Sequence, residues 1–437
     1  MSKSHAEKLG SRYYQLFRSA IVSNLGDGIA LIAYPWLASA VTRSPILIAL
    51  IAVMARLPWL LFSLPAGVIT DRLDRKKLII SMDLIRGVVT IIIGLLVLLQ
   101  QNQLVGLKDI NVVKIETNYF LYSVLLIATF IAGCAEVLRD NSAQTVLPAI
   151  VEKPLLEKAN GRLWSAEFVV NSFIGPLLGS FIIGLAIYLP FFINGGSFFI
   201  AAAMMAAIAG NFNAVREFDS ETGGNWRREL KEGLSWLWQH NLLRPLAIYL
   251  GLMNALSAMA VATYILFAQE ILQTSVLEFA ILGTGAALGG IIGGVVAHRI
   301  TKLIGPGTSL KLFMFGAAVL MIATGLVSNW VLVWIFSLLS TLLAVLWNVI
   351  TVSLRQQIIP DQLLGRVNST YRFFGLGLMP IGSLVGGGVI AFAELFGNRE
   401  FALRLPFVLG GILHLILFLF ARRILTNELI DNAKNIN

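Results

Sequence analysis

The sequence predicts an all-α membrane protein of twelve transmembrane helices in two six-helix repeats. Three observations lead there. The chain is 57% hydrophobic and only 13% charged, far from the roughly 25% charge of soluble domains. Twelve runs stay apolar over the ~20 residues that a bilayer core requires. The two halves also carry matching motifs at matching spacing.

The apolar runs fall near 16–41, 46–70, 78–100, 119–139, 165–188, 190–212, 245–270, 277–298, 308–328, 330–355, 367–392 and 401–423. The first is too long for a signal-peptide core and lacks a small-residue cleavage site, so it is expected to remain as a helix. An even number of spans puts both termini on one side. With that side cytoplasmic, the outer loops hold only Arg43, Lys108, Lys114, Arg399 and Arg404 of 33 cations. That arrangement satisfies the positive-inside tendency. The expected location is the plasma (cytoplasmic) membrane, multi-pass, with both termini inside. The net charge of +9 then belongs to cytoplasmic loops and indicates no nucleic-acid partner.

Between the sixth and seventh spans lies a polar segment, 213–243. Trp226, Leu230, Leu234 and Leu237 fall at helical spacing there, with Arg227, Arg228, Lys231 and Glu232 on other faces. This predicts an amphipathic helix at the cytoplasmic membrane surface. It divides the chain into a first half (1–212), a linker (213–243) and a second half (244–437).

The halves repeat. "NGRLWSAEFVVNSFIGPLLGS" places Gly161-Arg162 fifteen residues before Pro176, counting from the glycine, and "LGRVNSTYRFFGLGLMPIGS" places Gly365-Arg366 at the same distance from Pro380. Gly67 precedes Asp71-Arg72 by four, as Gly294 precedes His298-Arg299. Two parallel repeats imply a pseudo-two-fold axis along the membrane normal.

On these residues the chain resembles the major facilitator superfamily. Gly67-x-x-x-Asp71-Arg72-x-x-Arg75-Lys76 is similar to its signature between helices two and three. "VNSFIGPLLGS", with Gly175, Pro176 and Gly179, resembles its antiporter motif in helix five. "DRLDRKKLIISMDL" is close to the drug:proton antiporter branch that contains macrolide efflux and enterobactin export proteins. Asp74 stands where glycine is commoner.

The resemblance implies the major facilitator fold and a secondary transporter exporting amphipathic small molecules by alternating access, with protons as the coupling ion. It also implies that Asp71 meets a helix N-terminus, and that Arg75 pairs with an acid at the inner end of helix four, where the chain offers Glu136 and Asp140. A siderophore or lysophospholipid cargo on the same fold, and a transport-inactive scaffold or sensor, are the alternatives. The expected partners are a small-molecule cargo, protons and the lipid bilayer, with the chain acting as a monomer. No phosphate-binding loop, zinc motif or nucleophile–base constellation occurs, so neither a cofactor, a metal nor an enzymatic activity is expected.

Ionisable residues inside spans are functional candidates. Asp27 and Arg56 both lie about 15 Å from the ends of their helices at 1.5 Å per residue, so they are matched in depth. Two readings of such a pair are open: a proton-coupling acid held by an arginine, or a static ion pair that sets helix register. Asp83 and Arg86 lie closer to the inner surface and read as gate or interface charges. His414 is the one ionisable group deep in the second half. Trp347, Asn348, Gln356 and Gln357 suggest a polar edge on span ten, and Tyr34, Trp36 and Trp59 suggest cavity aromatics.

Overall fold

The computed structural model describes residues 9–106, 110, 115–152, 155–210 and 226–435, and it is all-helical over them. The first half forms α1 (Ser11–Val41), α2 (Pro45–Arg72), α3 (Arg75–Leu99), α4 (Tyr119–Ile150), α5 (Leu156–Val169), α6 (Gly175–Leu185) and α7 (Leu189–Ala206). The linker helix is α8 (Trp226–Gln239). The second half forms α9 (Leu243–Val261), α10 (Tyr264–Glu270), α11 (Val276–Ile304), α12 (Pro306–Leu326), α13 (Trp330–Ile358), α14 (Asp361–Gly377), α15 (Met379–Ala393), α16 (Arg399–Ala421) and α17 (Asn427–Asn435). Among the described residues twelve helices are long and apolar enough to cross a membrane, each within several residues of a run read from the sequence.

Both fifth-position helices are irregular where the sequence repeats. Proline lacks a backbone N–H and crowds the carbonyl four residues earlier. In the first half, Val170–Ile174 widens to a π turn immediately before Gly175-Pro176. In the second half, helix α14 ends at Gly377 and α15 begins at Met379-Pro380. Span seven differs from the continuous 245–270 helix expected: it stops at Val261 and resumes at Tyr264, with Thr263 at φ −114°, ψ 16° between.

The chain forms two compact units. The first comprises Met1–Arg43, Met54–Glu217 and Ser275–Ile281; the second comprises Ser44–Val53, Phe218–Thr274 and Leu282–Asn437. Inside the first, a cluster of Tyr13, Leu16, Ile79, Val146, Leu147, Ala159, Met205 and Ile208 ties together the ends of α1, α3, α4, α5 and α7. Tyr13 is fully buried and its hydroxyl donates to the Ala159 carbonyl at 3.0 Å. Inside the second, Leu246, Met314, Trp347, Ile350, Val367 and Tyr371 form the corresponding core, which α8 joins through Leu237.

That corrects two expectations. Trp347 does not belong to a polar edge of span ten: it is 2% exposed and packs on Phe313 at 5.6 Å between ring centres. Trp36 is likewise a core residue, 2% exposed and edge-on to Phe279. Both indoles lie on the buried side of their helices, a property that depth along the helix does not reveal.

The linker helix is docked. Glu232 pairs with Arg366 at 2.7 Å, Trp238 stacks on Phe374, and a Cβ on Gly233 would lie 2.6 Å from the Arg366 carbonyl oxygen. One side of α8 therefore lies against α14, while Leu234 and Trp238 remain exposed.

Candidate functional site

The site is built where α1, α3, α4 and α7 of the first unit meet. Glycines on either side of Asp27 permit the approach. A side chain at Gly26 would overlap the Ser197 hydroxyl of α7, and a Cβ at Gly28 would lie 2.9 Å from the Gly175 Cα. Gly175 and Gly179 reciprocate: their Cβ positions fall 2.6 Å from Gly28 Cα and 2.7 Å from the Ile29 carbonyl oxygen. The helix-five motif thus acts as a packing surface that brings backbone against backbone at Asp27, as small residues do in membrane helix pairs. The second unit repeats the device, with Gly382 and Gly386 against the carbonyls of Ala255 and Met259.

Asp27 is paired, but not with Arg56. The Arg86 guanidinium donates to Asp27 Oδ1 at 2.7 Å, with Arg86 itself 5% exposed. The same guanidinium lies over the Phe198 ring, 4.1 Å from its centre, a favourable placement for a cation. Arg56 instead lies on the exposed face of α2, and its charge is felt at Glu136. Depth put the two residues level; the direction of each side chain around its helix decided the pairing.

Asp83, three residues before Arg86 on the same helix, is completely buried. Its counter-charge is Arg139 of α4, with Nε 3.4 Å from Oδ1, and Arg139 also donates to Asp140 at 3.2 Å. Both Asp83 oxygens lack a hydrogen bond of good geometry, so its charge is compensated through space more than through directed bonds. After Asp27, the acids acting on Arg86 are Glu136, Asp83 and Asp140. Two arginines thus share four acids across three helices. The positions 136, 139 and 140 lie on one face of α4 by the i, i+3, i+4 rule.

Three buried polar atoms border this network without a hydrogen-bond partner among the described residues: Ser23 Oγ, Asn194 Oδ1 and Asn171 Oδ1. Ser23 lies one turn from Asp27. Asn194 and Asn171 lie beside Gly26 and Gly28. Above them, Tyr34 bonds the Thr90 side chain and packs edge-on against Phe191.

The signature motif is only partly described. The side chains of Gly67, Asp71 and Arg72 lie outside the described residues. Arg75 makes a polar contact, and Asp140, one acid expected to receive it, is bonded to Arg139. Lys76 has a clear role: its Nζ donates to the carbonyls of Ala206 and Ile208, both at 2.7 Å, which places a cation on the C-terminal end of α7. Asp74 caps α3 by accepting from the backbone N–H groups of Lys76 and Lys77 at 2.9 and 3.2 Å. That bond gives a local reason for an acid where the family favours glycine.

Sequence reasoning missed Arg139. The signal was present, since a cation three residues after Glu136 and next to Asp140 falls on the face those acids share. His414 is 2% exposed, with Nδ1 3.2 Å from the Gly410 carbonyl oxygen.

Comparison with known proteins agrees with this architecture. The chain is 24% identical over 235 residues to the multidrug efflux pump Tap of Mycolicibacterium fortuitum, a match spanning 53% of each protein. Its fold is similar to that of the nucleoside transporter NupG, with a TM-score of 0.73 at 10% identity, over 95% of this chain and 99% of that one. It is also similar to an inward-facing bacterial homologue of the iron transporter ferroportin, with a TM-score of 0.67 at 13% identity, over 95% and 100%. At such identities the structures speak for the fold alone. The Major Facilitator Superfamily profile matches residues 16–379, and the chain belongs to that superfamily of membrane transporters.

Proposed function

We propose that this transporter exports amphipathic small molecules across the plasma membrane by alternating access, exchanging them for protons that bind in the first unit. The observation carrying this reading is the Arg86–Asp27 ion pair, with Asp83 and Asp140 acting on both Arg86 and Arg139 and Glu136 acting on Arg86. Arg86, Arg139 and Asp83 are buried while Asp27 and Asp140 are partly exposed, and intramembrane charges of this kind belong to ion and proton pathways. Protonation of one acid removes its hold on Arg86 and frees the guanidinium for another, so a proton changes which helices are tied together. A ligand that discriminates between two arrangements shifts their populations.

The motif residues fit a role in that change. Arg75 and Lys76 sit where α3 begins, and Asp71 and Arg72 where α2 ends, so this short connection joins the network's helix to its neighbour. The efflux function of the Tap relative supports outward transport, and the distribution of cations supports cytoplasmic termini. In this reading Asp27 carries the proton, Arg86 is its switchable partner and Arg139 balances Asp83.

The test is flux in proteoliposomes. With a pH dye trapped inside, addition of a transported amphipath is expected to release an imposed proton gradient. A broad panel of cargoes that accumulate with no accompanying proton movement would remove the antiport reading.

A further inference from the structure

The second unit contains a cavity of about 420 Å³ between α9, α11, α12, α13 and α16. That volume falls within the range of sites that hold drug-sized molecules. Its chemistry is unlike that of the first unit. No Asp, Glu, Lys or Arg lines it. Its polar groups are hydroxyls and neutral nitrogen or amide functions.

Ser337, Ser340 and Thr341 project from one side of α13 by helical spacing and line the wall. No hydrogen bond within the protein occupies their hydroxyls among the described residues. Opposite, Asn254 uses its Nδ2 on the Gly375 carbonyl at 2.7 Å, which leaves Oδ1 as an acceptor. His414 contacts the Gly410 carbonyl through Nδ1. Donation there assigns the Nδ1–H tautomer and leaves Nε2 as a lone-pair acceptor. Tyr264 and Phe407, 6.3 Å apart, and Phe313 add aromatic walls.

We propose that this cavity binds the uncharged part of the cargo: an aromatic group bearing hydroxyl or amide functions. A cation placed there would be buried with no counter-charge, which is penalised. A neutral donor–acceptor group satisfies the hydroxyls, Asn254 and His414 together, and its ring packs on the aromatic walls. This rests on the export reading for the word cargo, while the binding site itself does not.

The experiment is calorimetric titration of the full-length protein in lipid nanodiscs, without any gradient. The probe is chloramphenicol, an uncharged nitrophenyl compound with two hydroxyls and an amide; tetraphenylphosphonium is the cationic control. Chloramphenicol is expected to bind, and the Ser340→Ala/Thr341→Val pair to weaken it about tenfold, the loss of two modest hydrogen bonds. Ala317→Phe, filling the cavity from α12, is expected to abolish binding. Tetraphenylphosphonium affinity is expected to stay unchanged in both variants. Unchanged chloramphenicol affinity in the Ser340/Thr341 variant, no chloramphenicol binding by the wild type, or parallel loss of both probes would overturn the proposal. Binding without proton-linked flux would remove the antiport reading and leave the site. Flux with no binding would remove the site and leave the antiport reading.

Discussion

The Arg86 guanidinium is held between Asp27 Oδ1 at 2.7 Å and the face of Phe198 at 4.1 Å. It belongs to α3, the acid to α1 and the ring to α7, so one side chain ties three helices. Arg86 is buried and Asp27 partly exposed, and removing either leaves the other uncompensated. Arg86→Met is therefore expected to destabilise the protein by about 1.5–3 kcal/mol, while Arg86→Met/Asp27→Asn recovers much of that loss. Thermal unfolding of the two single variants and the double variant in detergent forms the required cycle. Additive single losses would mean that the two residues are not coupled.

The packing of α1 on α6 gives a second prediction. A Cβ at Gly28 meets backbone, not a flexible side chain, at 2.9 Å from the Gly175 Cα. Gly28→Ala is expected to force the helices apart and cost about 1–3 kcal/mol. Gly184, whose Cβ would meet nothing within 4 Å, is the control: Gly184→Ala should leave the melting temperature unchanged or raise it slightly.

Asp74 offers a graded test of the motif's departure from its family. An N-cap acid replaced by alanine loses about 1 kcal/mol, whereas replacement by glycine loses only a few tenths. Asp74→Gly, the residue commoner in the family, should therefore be nearly silent in thermal unfolding, and Asp74→Ala should not. Equal losses would show that the acid matters for something other than the cap.

His240 introduces pH dependence outside the spans. Its Nδ1 accepts from the backbone N–H groups of Leu242 and Leu243 at 3.2 and 3.1 Å, capping the start of α9. Burial holds its pKa below the ordinary 6.5. The unfolded chain thus takes up the proton first, so the stabilisation is complete above about pH 6.5 and is lost as pH falls through and below that value. Melting temperature should drop between about pH 7.5 and pH 5 by more in the wild type than in His240→Asn, which keeps an acceptor but does not titrate. An identical pH profile in the variant would contradict this.

Much of the architecture was readable because hydrophobic length is a one-dimensional signal: all twelve spans follow from apolar runs. The pairing of charges was not. Asp27 and Arg56 are level in depth, yet it is Arg86 that reaches Asp27 while Arg56 is exposed, and rotation about a helix axis is set by neighbouring helices. The glycines at 26 and 28 carried part of that information, since they mark the face on which α1 admits α7 and α6. The hydroxyl edge of α13 was also legible in Ser337, Ser340 and Thr341, whereas Trp347 belongs to the core.

We propose that Asp27 carries the proton exchanged for cargo. The most direct measurement compares two modes of transport by Asp27→Asn in proteoliposomes: accumulation driven by an imposed pH gradient, and exchange of labelled for unlabelled cargo with no gradient. Gradient-driven accumulation is expected to be lost while exchange persists. Full gradient-driven accumulation in the Asp27→Asn protein would contradict it.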